Sequence, residues 1–431
     1  MMDLTLAGLL VALLLAVLAS GFWIALALLG VAAFAMQAFT SRPVGDSMVF
    51  TIWGSTSSWT LTALPLFLWM GEILFRTRLT ADLFKGLSPW LNRLPGRLLH
   101  TNVVGCGIFA AVSGSSAATC ATIGRITLPE LKARGYPDRI ALGSLAGAGT
   151  FGLLIPPSII MIVYAVATDV SIAKLFVAGA VPGLMLMALY SGYIAWWALR
   201  HPSQVPAAGP ATTLVQKLRA ARHLIPVLAL IGLVIGSIYS GVATATESAA
   251  MGVAGALALG ALDGSLSRRS FVEGLTAACG VYCMIGFILA GASFLTLAMG
   301  FVGLPREVAA FIGGLGLPPF GLLMLLMVFF IVLGCFLDGI SMVVLTMAVL
   351  VPTVQAAGID LLWFGVFVVL VVEMAQITPP VGFNLFVLQG LTGREVTWLA
   401  RAALPFFFLL LLAVLLIYLF PQTVLWLPSL M

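Results

Sequence analysis

Two apolar stretches of this 431-residue chain, "GLLIPPSIIMIVYA" from Gly152 and "ITPPVGFNLFVLQG" from Ile377, carry adjacent prolines where a helix would otherwise be continuous. The two breaks are related. Shifting the chain by 223 positions lays Pro95 on Pro318, Pro129 on Pro352, Pro156 on Pro379, Pro157 on Pro380 and Pro182 on Pro405, with Gly135 on Gly358. With 22 prolines in the chain a chance shift aligns about one, so five at one ungapped offset mark an internal repeat. Each unit opens with 34 residues between prolines, too short for two full membrane crossings and therefore expected to form a re-entrant helical hairpin. An apolar helix follows, broken by the Pro-Pro pair at its middle.

The reading in terms of a membrane comes from composition: 62% hydrophobic and 8% charged residues exclude a soluble globule of this length. The expected class is an all-α polytopic membrane protein. At about 20 residues per crossing the apolar tracts have room for about ten to twelve spans or re-entrant pieces. The N-terminal stretch lacks a basic leader and its apolar run is too long for a signal peptide, so it is expected to be retained. Cys106, Cys120, Cys279, Cys283 and Cys335 lie in apolar stretches with no metal-ligand or disulfide spacing and read as packing residues. No P-loop occurs, so no nucleotide-driven motor of that kind is present. His100, His201 and His223 sit beside basic loop residues, which suits a membrane boundary better than a catalytic cluster. No enzyme site is legible. The net charge of +5 is spread over short loops, which argues topology rather than nucleic-acid binding.

Charge also orients the units. Arg76, Arg78, Lys85, Arg93 and Arg97 flank one end of the first hairpin, and Arg125, Lys132, Arg134 and Arg139 the other. The matching flanks of the second hold only Arg306. The positive-inside rule then brings the hairpins in from opposite sides, as inverted repeats. Threading the spans leaves only Arg42, Lys174 and Arg306 of the 20 basic residues outside. The chain is expected to divide into N-terminal helices and a connecting arm (1–94), a first repeat (95–182), central helices and a second arm (183–317), a second repeat (318–405), and the end of the last transmembrane helix (406–431).

Proline has no N–H and clashes with the preceding turn, so a Pro-Pro pair strands backbone carbonyls, which lipid penalises by several kcal/mol each. Such a break survives against a polar cavity. Two breaks and two hairpin tips meeting near the midplane leave oxygens suited to a hard cation such as sodium, and helix N-termini suited to an anion. The first tip, "AVSGSSAAT", offers Ser113, Gly114, Ser115, Ser116 and Thr119; the second, "GCFLDGIS", offers Gly334, Asp338, Gly339 and Ser341. Small hydroxyl residues also mediate helix packing, so the first tip has a structural reading too. An acidic residue in a bilayer is costly, which favours function for Asp338, although it could instead cap a hairpin helix. Glu247 and Glu373 are weaker candidates, placed near an interface or paired with a scaffold helix. Trp196, Trp197 and Trp363 read as interface anchors.

Taken together, "GLLIPPSIIMIVYAVATDVSIAKLFVAGAVPG", "SGSSAAT", "GCFLDGIS" and "ITPPVGFNLFV" resemble the large membrane subunit of the tripartite ATP-independent periplasmic (TRAP) transporters, over essentially the whole chain. The resemblance implies an elevator-type secondary importer of small organic anions, often carboxylates, in the bacterial inner membrane. Sodium ions would be the coupling ions, with no other cofactor. A soluble periplasmic binding protein would deliver the substrate, and a small four-helix membrane subunit, expected as a separate polypeptide, would accompany it. One sodium site would combine the first tip (Ser113, Ser115) with Gly149, Thr150, Gly152 and Pro156. The other would combine the second tip (Gly334, Asp338) with Gln376, Thr378 and Pro379. Substrate would lie between the tips, near Ser116, Pro157, Ser158 and Asn384.

Two other classes compete. A stand-alone sodium/divalent-anion symporter would share inverted hairpins without a receptor. A channel has no need of mirrored broken helices, and an intramembrane hydrolase would need a histidine near "SGSS" at membrane depth, where none occurs.

Overall fold

Short polar side chains and glycines punctuate a chain whose apolar runs would otherwise form indefinite helices. The computed structural model describes residues 4–77, 79–207, 213–304, 307, 310, 314, 318–334, 337–380 and 382–431, and among them all regular structure is helical. Arg78, Arg306 and Cys335, named above, lie outside the described residues. Ser115, Ser158, Ser171, Asp338 and Asp360 each cap a helix by accepting a hydrogen bond from a backbone N–H of its first turn. Thr213, Thr244 and Ser267 do so within reciprocal capping boxes. Gly135 and Gly358, paired by the repeat, both take positive φ, at 80° and 72°, where the chain turns out of a helix.

The same run of helices occurs twice. His100–Ser113, Ser116–Ala133, Asp138–Gly149, Ile159–Thr168 and Ile172–Arg200 are followed later by Pro319–Leu333, Gly339–Ala356, Leu361–Gln376, Phe383–Thr392 and Val396–Leu419. From the second member onward, matching helices start 223 or 224 residues apart. Both Pro-Pro bonds, Pro156–Pro157 and Pro379–Pro380, are cis. Around the first, Asp138–Leu154 and Ile159–Thr168 are bent by 41°. Pro129 was expected to close the first hairpin, yet its helix continues to Ala133. Pro129 cannot donate to the Arg125 carbonyl and its ring crowds it, but packing against Asp138–Gly149 holds the remaining residues in helix.

Outside these runs, Ile24–Phe39 lies along Arg268–Val302, and Ala63–Phe75 packs on both Ala245–Leu262 and Arg268–Val302. Arg76 joins two of these helices, bonding Glu72 at 3.2 Å and Glu273 at 3.1 Å. Among the described residues four helices are long and apolar enough to cross a membrane, or up to eight spans if each bent pair counts as one. Exposed Leu184, Leu199, Leu262, Val332 and Leu419 coat the outer surface, as lipid-facing side chains must. The chain is a multi-pass membrane protein.

Three placements differ from the sequence reading. Trp363 is no interface anchor: it is 5% exposed, its indole N–H donates to the Ile417 carbonyl at 3.1 Å, and its ring stacks on Phe367. His100 is buried, with its ring Nε2 2.6 Å from the Pro95 carbonyl, because the chain folds back over it at Gly96 (φ 91°). Glu373 lies at no interface; it is fully buried in the last turn of Leu361–Gln376, with its carboxyl toward Thr150.

Candidate functional site

At the first tip Gly114 (φ 62°) ends one helix, which frees Ser115 to start the next. The Ser113 and Thr119 hydroxyls lie 2.7 Å apart, and Thr119 donates to the Ser115 carbonyl at 2.7 Å. A tight knot of oxygens results. The Pro-Pro break presses against it backbone to backbone. A Cβ added at Gly152 would sit 2.4 Å from the Ser115 carbonyl, and one at Gly114 would sit 3.0 Å from the Pro157 carbonyl. One hydrogen bond, from Ile159 N–H to the Gly114 carbonyl at 3.3 Å, spans hairpin and broken helix. Ser158 starts the second half-helix and turns its hydroxyl back to the Leu153 carbonyl at 2.5 Å, satisfying one acceptor that the break releases. Thr150 is buried and bonds the Gly147 carbonyl at 2.8 Å.

The second tip has a different chemistry. Asp338 accepts from Ile340 N–H at 3.1 Å and Ser341 N–H at 3.3 Å, and the Ser341 hydroxyl also donates to it. The carboxylate is therefore a helix cap, and it is exposed. Gly334 fits against Ala375, and Gly339 against Val372, Ile160 and Gln376. Past the second break, a Cβ at Gly382 would stand 2.9 Å from both the Gln376 and Thr378 carbonyls, so those two oxygens converge. Thr378 itself donates to the Met374 carbonyl at 2.7 Å.

The two halves interlock. Asn384, after the second break, donates to the Ala146 carbonyl at 3.3 Å before the first, and its amide nitrogen is 3.2 Å from where a Gly149 Cβ would lie. Its other amide atom, Oδ1, is buried without a hydrogen bond. Ser113, Ser115, Ser116, Gly149, Thr150, Gly152, Pro156, Pro157 and Ser158 thus lie around the first tip and first break, where Gly152 meets Ser115 and Ser116 and Asn384 reaches Gly149. Gly334, Asp338, Gln376, Thr378 and Pro379 lie around the second tip and second break, where Gly339 meets Gln376. Their surroundings are unequal: Gly149, Thr150, Gly152, Pro156 and Pro157 are buried, whereas Asp338 and Pro379 are exposed.

The sequence reading missed Gly382 and Cys120. Gly382 was legible as a glycine two residues beyond a Pro-Pro pair. Cys120, whose Cβ would lie 2.7 Å from one at Gly149, had no such signal. Glu247 closes the capping box with Thr244, accepting from its N–H and hydroxyl at 2.8 Å each, and is remote from this site.

Residues 10–423 match the family model described as "Tripartite ATP-independent periplasmic transporter, DctM component". This chain belongs to that family. It is a transporter permease component and not an enzyme. Its relatives include the C4-dicarboxylate TRAP transporter large permease protein DctM of Pseudomonas aeruginosa, 32% identical with 89% of each chain covered. Another is the isethionate TRAP transporter permease protein DctMQ of Oleidesulfovibrio alaskensis, 32% identical over 90% of this chain and 61% of that longer protein. Among solved structures, the YdaH transporter of Alcanivorax borkumensis shares the fold, with a TM-score of 0.66 over 91% of this chain and 95% of that one at 14% identity.

Proposed function

We propose that this TRAP large permease imports a small organic anion, a carboxylate, by sodium-driven secondary transport. A periplasmic substrate-binding protein delivers the anion, and a small four-helix membrane subunit completes the assembly. The observation that supports this reading is the contact of both breaks with the tips across the repeats: Gly152 against Ser115, Ile159 N–H on the Gly114 carbonyl, Gly339 against Ile160 and Gln376, and Asn384 on the Ala146 carbonyl.

In this reading residues 95–182 and 318–405 are inverted repeats whose re-entrant hairpins enter from opposite faces, as the basic flanks of the first unit support. They travel as an elevator against residues 1–94 and 183–317, and residues 406–431 end the last helix. Ser113, Ser115, Gly149, Thr150, Gly152 and Pro156 hold one sodium ion. Gly334, Asp338, Gln376, Thr378 and Pro379 hold the other. The Ser113–Thr119 oxygen knot and the paired Gln376 and Thr378 carbonyls fit a hard cation. Ser116, Pro157, Ser158 and Asn384 contact the substrate, with the unbonded Asn384 Oδ1 free to join it through water or an N–H donor. The C4-dicarboxylate relative supports a carboxylate, and the longer DctMQ relative supports association with a second membrane component.

Uptake into proteoliposomes tests the proposal. It is expected to require an inward sodium gradient, the small subunit and the loaded receptor, and no ATP. Equal uptake of free substrate without receptor would replace it with a stand-alone symporter.

A further inference from the structure

Away from the candidate centre, a cavity of about 720 Å³ opens between Ser116–Ala133, Asp138–Gly149 and the end of Phe383–Thr392. Its lining includes Arg125, Lys132 and Arg394 against a single acid, Asp138. Arg394 already spends part of its charge on Asp138, at 2.5 Å, and rests over the Trp398 ring at 5.1 Å. Arg125 and Lys132 take part in no ion pair among the described residues, while neighbouring Arg134 is held by Glu130. The cavity therefore has two uncompensated cations with freely placed donors. It also receives the first turn of Asp138–Gly149, a 12-residue helix whose N-cap, Pro137, supplies no capping side chain. Asp138 and Ala141 of that turn line the cavity, so the positive end of its dipole borders the same space.

We infer that this cavity is a binding site for a phosphate-bearing oxyanion, separate from the transported substrate's site. The ligand chemistry is that of a phosphate group, which Arg125 grips with its planar fork and Lys132 neutralises as a point charge. The two sites are not continuous here. Gly124 on the cavity wall is one turn from Cys120, and Leu142 and Leu391 are two turns from Gly149 and Asn384; between them Cys120, Leu145 and Leu388 are fully buried. An anion seated in the cavity would tie the first hairpin, the first broken helix and the end of the second broken helix together at one face. That phosphate group can come from solution or from an anionic lipid.

The experiment uses the full chain, delipidated in detergent, titrated calorimetrically with inorganic phosphate at low ionic strength, with chloride at matched ionic strength as control. Saturable phosphate binding is expected, weakened about tenfold or more in Arg125→Gln/Lys132→Gln and restored by Arg125→Lys/Lys132→Arg. Both positions are exposed, so unchanged thermal unfolding midpoints are expected to show that the variants fold. Repeating the titration in nanodiscs distinguishes the sources. Phosphatidylglycerol that blocks phosphate binding, relative to phosphatidylcholine alone, identifies a lipid headgroup, and undiminished binding identifies a free anion. Phosphate heat no greater than that of chloride, or equal binding by the Gln variant, would overturn the inference.

Discussion

Gly152→Ala tests whether the spacing between hairpin tip and helix break matters to cation binding. The added Cβ would stand 2.4 Å from the Ser115 carbonyl carbon and oxygen and 2.8 Å from Ser116 N. Ordinary contact between such atoms is about 3.5 Å, so tip and break must separate by about 1 Å. All the obstructing atoms are backbone, and no rotamer change can relieve them. Overpacking of this kind costs about 1–3 kcal/mol, set against a gain of up to about 1 kcal/mol from replacing glycine in a helix. If about 1.4 kcal/mol of the remainder falls on the cation-bound state, half-saturation by sodium rises about tenfold. The assay is receptor-dependent uptake against sodium concentration, alongside thermal unfolding of the purified chain. Gly143→Ala is the control, because its Cβ would meet the Ala402 carbonyl oxygen at 2.2 Å, away from both tips. It is expected to lower Tm while leaving the sodium dependence of the folded fraction unchanged. If Gly152→Ala transports with wild-type sodium dependence, or if Gly143→Ala shifts that dependence equally, the tip and the break do not form a cation site.

Asp338→Asn retains a side-chain acceptor for the Ile340 and Ser341 N–H groups, so Tm is expected to stay near wild type while half-saturation by sodium rises; unchanged sodium dependence would leave Asp338 a cap only. Ser115→Ala gives up a long capping contact of 3.5 Å, so thermal melts should show little loss, and its uptake defect should be separable from that of Asp338→Asn in the double variant. Glu373→Gln removes a fully buried acid that takes part in no ion pair among the described residues, and keeps an acceptor facing Thr150, so thermal unfolding should show an unchanged or higher Tm, and a Tm several degrees lower would contradict this burial argument.

Much of the architecture was legible because proline and glycine act through their own backbones. A missing N–H or a positive φ is a local constraint that needs no knowledge of neighbours. The 223-residue offset therefore predicted where helices begin and break, and the structure repeats its helices at 223 or 224 residues. Ser115 and Asp338 were recognisable as oxygen-bearing tip residues for the same reason, since capping is a short-range bond. Tertiary structure decided which side of each helix faces inward. In a membrane the outer surface is as apolar as the core, so hydrophobic periodicity does not separate lipid-facing from buried positions. Trp363 could be read as an anchor and Glu373 as an interface residue until packing placed both inside. Distance in sequence hid the rest: Gly152 meets Ser115 across 37 positions and Asn384 meets Ala146 across 238, contacts that exist only once the two repeats have interlocked. The difference between buried Pro156 and exposed Pro379 is likewise a property of packing, because the two occupy equivalent places in the repeat.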